Sequence, residues 1–150
     1  LLVGGKMTYT FLKARGVGVG ATKVADEELA AAQPLLAQVG KKIVLPVDYV
    51  AAKSDDLLTT VECEGDIPAG YEGVDIGPKT VADYARAIEK AGTVIWNGPV
   101  GWFEQEAFAH GTKGIAEAMA ASAATTVVGG GETAEAVEQI IARERPDALL

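Results

Sequence analysis

VVGGGETAEAVEQI (127–140) sets an apolar pair and three consecutive glycines before an acid and an amphipathic run. An apolar strand that leaves through glycines straight into a helix is the unit from which α/β folds are built, so this stretch decides the fold class. TTVV (125–128) is the strand, and the helix runs from Thr133 to about Arg143.

The same grammar recurs on either side. GTVIWNG (92–98) is a strand closed by a turn, LLVGG (1–5) is an apolar run ended by glycines, and KKIVLPVD (41–48) is a further buried strand. Between them, MTYTFLKARG (7–16) reads as a helix stopped at Gly16, and Asp26 caps a helix to about Val39 that Pro34 should kink or divide. Thr80 and Asp83 read as a capping box, with Val81, Tyr84, Ala85 and Ile88 on one helical face. A further helix covers roughly Thr112 to Ala121, while VDYVAAK and LTTVECE form a β-branched excursion. The expected architecture is α/β: a three-layer, Rossmann-like, doubly wound sheet, mainly parallel, with helices on both faces and a small β excursion.

Composition narrows the partners. At 150 residues the chain is about one domain, and a formal charge of −8 argues against nucleic acid or an anionic membrane. Cys63 is the only cysteine, so no internal disulfide forms, and no apolar run reaches the ~20 residues of a spanning helix. These features read as a cytoplasmic protein. Leu1-Leu2-Val3 looks like a strand already under way, and Leu150 follows an Arg-Pro helix exit, so the chain reads as an excerpt of something longer.

In a doubly wound sheet, ligands bind beyond the carboxyl ends of the strands. Three loops leave strands there through glycine: VGGKM (3–7), WNGPVG (96–101) and VGGGET (128–133). In the last, glycine lets backbone approach a phosphate and the helix N-terminus points free N–H groups at it. It is neither a Walker loop nor a spaced GxGxxG, so a phosphate cradle and a plain tight turn stay equally open. Glu132 is either a dipole-favoured acid in a first helical turn or an oxygen ligand for Mg²⁺. Composition favours a rigid connector for Asn97-Gly98-Pro99; the functional alternative has Pro99 and Val100 walling a flat ring and Glu104 accepting from a ribose. His110 reads as a surface or capping residue, Cys63 as a small packing residue, and Asp48 and Asp75 as polar loop anchors.

GGKMTYTFLKARG (4–16), LPVDYVAA (45–52), DIPAGYEGVDIGPKT (66–80), WNGPVGWFEQEAFAHGTK (96–113) and VVGGGET (127–133) together resemble the C-terminal, nucleotide-binding domain of phosphoglycerate kinases, in order and spacing. The resemblance implies that residues 1–150 are that domain, truncated at both ends, in a monomeric enzyme moving a phosphoryl group between 1,3-bisphosphoglycerate and Mg-ADP. It places Gly4 and Gly5 on the adenine with Gly73 and Val74 opposite, Asn97, Gly98, Pro99 and Val100 along the nucleotide, and Glu104 on the ribose. Gly130, Gly131 and Thr133 would meet the phosphates, with Glu132 beside the Mg²⁺. The family usually has Asp at position 132, and the extra methylene of Glu moves the carboxylate by about 1.5 Å. Lys6 stands for a common third glycine, and Lys23 for an apolar adenine contact. The domain that binds 3-phosphoglycerate is missing, so this chain alone should not turn over. A non-catalytic nucleotide-binding or scaffold module of the same descent is the alternative. A nicotinamide oxidoreductase is disfavoured, since the first strand lacks a spaced GxGxxG and an acid about 20 residues on.

Overall fold

The computed structural model describes residues 1–144. Five helices, α1 (Lys6–Ala14), α2 (Asp26–Val39), α3 (Pro78–Glu89), α4 (His110–Ala121) and α5 (Gly131–Glu144), alternate with strands β1 (Asp48–Lys53), β2 (Asp56–Glu64), β3 (Tyr71–Ile76), β4 (Thr93–Asn97) and β5 (Thr125–Gly129). The chain has the α/β, Rossmann-like fold the sequence predicts, with its parallel part in pieces. β4 and β5 pair in parallel from Thr93↔Thr125 to Asn97↔Gly129. Leu1 to Val3 runs parallel to residues 43–45 through one bridge, Leu2↔Val44, closed by Val3 N–H to the Val44 carbonyl at 3.0 Å and Val44 N–H to the Leu1 carbonyl at 2.9 Å. An apolar groove of about 360 Å³, floored by Tyr84, Ile88, Ile115 and Met119, separates this bridge from β4. Ile95 and Val127, side by side on the other face of β4 and β5, are exposed.

The β excursion is larger than expected. β1 pairs antiparallel with β2 on one side and β3 on the other, giving the order β2-β1-β3. The sequence signals of β3 are weak because Gly73 and Asp75 interrupt its apolar pattern; pairing with β1 supplies what local propensity lacks. Conversely, the strand expected over 41–48 shrinks to the Val44 bridge, because residues 40–42 close a 3₁₀ turn and Pro46 has no N–H to give a ladder.

Helix starts also differ from the sequence reading. α2 runs through Pro34 undivided, and its first turn is secured by the Glu28 carboxylate accepting from Ala25 N–H at 3.3 Å. The capping box at Thr80 and Asp83 does not form: α3 begins earlier, at Pro78, which needs no hydrogen-bond partner there. Asp83 pairs with Arg86 instead. The cap comes from outside the helix. Buried Asp48 accepts from Lys79 N–H and Thr80 N–H, each at 2.8 Å, and from the Thr80 hydroxyl at 2.6 Å. α4 and α5 likewise start two residues ahead of the expected Thr112 and Thr133. The expected Arg-Pro exit at 145–146 lies outside the described residues.

The two largest apolar clusters among the described residues hold these parts. Tyr9, Phe11 and Leu12 of α1 pack with Ala32, Ile43, Leu45 and Tyr49, while Tyr84 and Ile88 of α3 pack with Trp96, Val100, Ile115 and Met119. Tyr84 joins them: its hydroxyl lies 2.7 Å from the Val3 carbonyl and 3.1 Å from that of Val44. The ion pairs are exposed and contribute little by comparison. Among the described residues, no helix is long and apolar enough to cross a membrane. Asp48→Ala leaves the buried Thr80 N–H and the partly buried Lys79 N–H without their acceptor and is expected to destabilise the fold by about 2 kcal/mol, read from urea denaturation at neutral pH.

Candidate functional site

Loops cannot bury bare backbone, so the long connection from Asn97 to Gly111 must find acceptors for its N–H groups. Three are met by side chains of the elements beneath it. Gly98 N–H donates to Thr133 Oγ1 at 2.7 Å, Val100 N–H to Thr112 Oγ1 at 3.2 Å and Gly111 N–H to Asp75 Oδ2 at 2.7 Å. Trp102 N–H donates to the Val74 carbonyl at 2.9 Å, and the Trp96 indole N–H closes the turn on the Gly98 carbonyl at 2.8 Å. The loop is thereby fixed to α5, α4 and β3 together.

Against this loop lies the first glycine exit. Gly5 N–H donates to the Val100 carbonyl at 3.1 Å. A Cβ on Gly4 would sit 2.4 Å from Val100 Cγ1, and one on Gly5, whose φ is 64°, would sit 2.8 Å from the Pro99 carbonyl oxygen. Only glycine permits this approach. The facing wall comes from β3, where a Cβ on Gly73 would overlap the Tyr9 ring at 2.1 Å. Gly73 N–H is itself taken by Thr22 Oγ1 at 2.9 Å.

These walls enclose a cleft of about 530 Å³, within the usual range for small-molecule sites. It gathers Gly4, Gly5, Gly73, Val74, Asn97, Gly98, Pro99, Val100, Glu104 and Glu132, all named from sequence. Gly130, Gly131 and Thr133 are not among the lining residues. Gly130, with φ 88°, turns β5 into α5, its carbonyl accepting the Ala134 N–H at 3.1 Å. Gly131 opens α5 on the surface, whereas Thr133 is 1% exposed with its hydroxyl on Gly98 N–H. Thr133 therefore serves the cleft through Gly98. Sequence reasoning missed Tyr9, Trp102 and Phe103 in the lining and Thr112 as a support; Thr112 sits in the FAHGT segment, two residues after the more conspicuous His110. His110 is exposed, in keeping with a surface role. Cys63 is half-buried against the α1 cluster, where burial and then Asp48 push its thiol up, as suits a packing residue.

The charges lining the cleft are Lys6, Glu104 and Glu132. Lys6 Nζ is shared with Glu28 at 3.4 Å, so the cleft does not offer a polyanion a cationic pocket. What it offers is the first turn of α5, whose N–H groups precede the helix's own first hydrogen bond, and a carboxylate beside it. Among the described residues no cluster of three or more metal-ligating side chains occurs. One carboxylate fits a Mg²⁺ ion that arrives with most of its shell supplied by phosphate and water. Buried Asp75 differs from these acids. Burial pushes its carboxyl up to about 7, against the opposing pull of the Gly111 and Ile76 N–H groups.

The family model described as "PGK: Phosphoglycerate kinase" matches residues 1–146. The chain belongs to the phosphoglycerate kinase family. Phosphoglycerate kinase from Rubrobacter xylanophilus is 49% identical over 148 residues, 97% of this chain and 38% of that protein. The Salinispora tropica phosphoglycerate kinase is 51% identical over 143 residues, 93% of this chain and 36% of the relative. Among solved structures, the Coxiella burnetii phosphoglycerate kinase superposes with a TM-score of 0.86 at 40% identity, covering 93% of this chain and 37% of that one. That of Pyrococcus horikoshii gives 0.81 at 29% identity, with 92% and 36% covered. The chain thus spans little more than a third of these phosphoglycerate kinases.

Two outcomes test this packing. Gly4→Ala is expected to cost about 1–3 kcal/mol through its collision with Val100, measured by urea denaturation. For Asp75, a folded-state value of about 7 against an ordinary 3.8 means the folded protein holds the proton more tightly. Its stabilising contribution is complete below about pH 4 and is lost as pH rises through about 7. The stability difference between wild type and Asp75→Asn should therefore fall by a few kcal/mol over that range, read from paired denaturation curves.

Proposed function

We propose that residues 1–150 form the nucleotide-binding domain of a phosphoglycerate kinase and supply most of its ADP/ATP site. The observation that carries this reading is the convergence of ten sequence-named residues, drawn from separate glycine exits and β3, on a single cleft. In the proposed reaction the acyl phosphate of 1,3-bisphosphoglycerate gives its phosphoryl group to the β-phosphate of ADP, leaving 3-phosphoglycerate and ATP. Gly4 and Gly5 on one side and Gly73 and Val74 on the other bracket the adenine, with the glycines packed tightly on Val100, Pro99 and Tyr9 so that these walls stay in place around the cleft. Pro99 and Val100 complete the apolar wall, and Glu104 accepts from the ribose hydroxyls.

The phosphate end falls to α5. Its first N–H groups and dipole would attract the nucleotide's terminal phosphates, and Glu132 is the carboxylate that would hold a Mg²⁺ bound with them. With Glu104 and Glu132 in the cleft, a metal-bound nucleotide is better matched than a bare polyanion. Phosphoryl transfer rests on positioning and on neutralising charge from both sides of the transferred group. This chain provides one side; the acceptor side and its 3-phosphoglycerate site belong to the remainder of the family's length. A non-catalytic nucleotide-binding module is the second reading, favoured by a cleft lining whose one lysine among the described residues, Lys6, is shared with Glu28.

Calorimetric titration with Mg-ADP separates these from an unrelated role: heat of binding is expected, and its absence in the full-length protein would overturn both. Coupled turnover of 1,3-bisphosphoglycerate then separates kinase from module. Glu132→Gln is expected to weaken Mg-ADP about tenfold while changing Mg-free ADP less than twofold, and equal effects on both would remove Glu132 from the metal.

A further inference from the structure

Among the described residues, Asp75 is a carboxylate with no cation beside it. It is 1% exposed, and its oxygens accept two backbone N–H groups, that of Ile76 at 2.9 Å and that of Gly111 at 2.7 Å. The second bond crosses from β3 to the head of α4. Asp75 also fills the space where two side chains would otherwise lie: a Cβ on Gly101 or on Gly111 would each fall 2.2 Å from its Oδ1. One residue earlier, the Val74 carbonyl takes the Trp102 N–H at 2.9 Å. β3 therefore grips the loop at both ends of the 101–111 segment, and that segment carries Glu104.

We propose that Asp75 is the positioning residue of the nucleotide cleft, a buried latch that fixes the distance between its β3 wall, Gly73 and Val74, and its loop wall, Val100 and Glu104. The inference rests on the nucleotide reading of the cleft. An uncharged hydrophobic residue of similar size would fill the same space but could not hold Gly111 N–H, leaving a helix-terminal donor buried without an acceptor. A buried carboxylate costs solvation to maintain, and among the described residues its neighbours give no ion pair in return. The ionisable group facing it is the Tyr9 hydroxyl from α1, which burial keeps protonated. β1 sets Val50 opposite Asp75, while Glu104 and Glu106 of the loop and His110 of α4 are exposed. What the carboxylate does that a neutral filler cannot is hold a charge-assisted hydrogen bond across the two walls.

The latch is strongest while Asp75 is ionised, so its grip weakens as pH falls through the neutral range, where its proton binds. Adenosine tests this cleanly, because it occupies the adenine and ribose end and titrates no group between pH 5.5 and 8.5. In the full-length protein, Asp75→Asn is expected to raise the KM for Mg-ADP about tenfold with kcat changed less than twofold. The adenosine Kd of the wild type is expected to rise several-fold from pH 8 to pH 6, and that of the variant to stay level. A folded variant with unchanged KM, or a wild-type adenosine Kd that is flat with pH, overturns the latch while leaving the nucleotide site standing; the second measurement decides the matter even if the variant does not fold. Wild-type protein that binds neither Mg-ADP nor adenosine overturns the nucleotide reading and the latch together.

Discussion

The contact between Gly4–Gly5 and Pro99–Val100 is the constraint on which the rest depends. It brings together two strand exits separated by nearly a hundred residues, at a distance that leaves no room for a Cβ on either glycine. Val100 is the pivot. Its carbonyl accepts from Gly5, its N–H donates to Thr112 and its side chain packs with the α3 and α4 cluster. A single residue thus couples the Leu1–Val3 segment, the loop from Asn97 to Gly111 and α4. With that contact made, the cleft has a floor and two of its walls.

Around it the chain uses one device repeatedly: a buried polar side chain accepting backbone N–H groups that secondary structure leaves over. Asp48 does this for the first turn of α3 and Asp75 for that of α4, while Thr112 and Thr133 do it for the loop. The acceptors sit on regular elements and the donors on loops and helix ends. Irregular backbone is thereby held as firmly as a strand, which is what a site built on loops needs. Neutral hydroxyls suffice near the glycine turns, where one N–H must be met. Carboxylates appear where two N–H groups converge, as with Lys79 and Thr80 on Asp48 and Ile76 and Gly111 on Asp75.

Much of the fold was legible along the chain. The strand-glycine-helix units at 92–98 and 125–143 were readable because apolar runs, glycine turns and helical periodicity are local signals. β3 was not, because its edges are set by pairing with β1 and its sequence carries glycine and aspartate in mid-strand. The start of α3 was misread for a related reason. Thr80 looked like a local cap, but its hydroxyl and N–H belong to Asp48, thirty-two residues away. For the site, glycine spacing and the family resemblance named ten of the residues that line the cleft but not Tyr9, Trp102 or Phe103, while Thr112, which holds the loop, left no mark in its own neighbourhood.

By itself, then, the sequence determined the α/β class, the family and the glycine positions at which backbone must come close to something. Those follow from local stereochemistry and from motif order, both of which are properties of a chain read in one dimension. Only the tertiary structure decided what the glycines come close to, that Thr133 supports Gly98 without lining the cleft itself, and that Asp75 binds two walls together. Each of these depends on donors and acceptors meeting across tens of residues, and burial then fixes them, because an N–H removed from water must be answered by whichever acceptor the packing brings within reach.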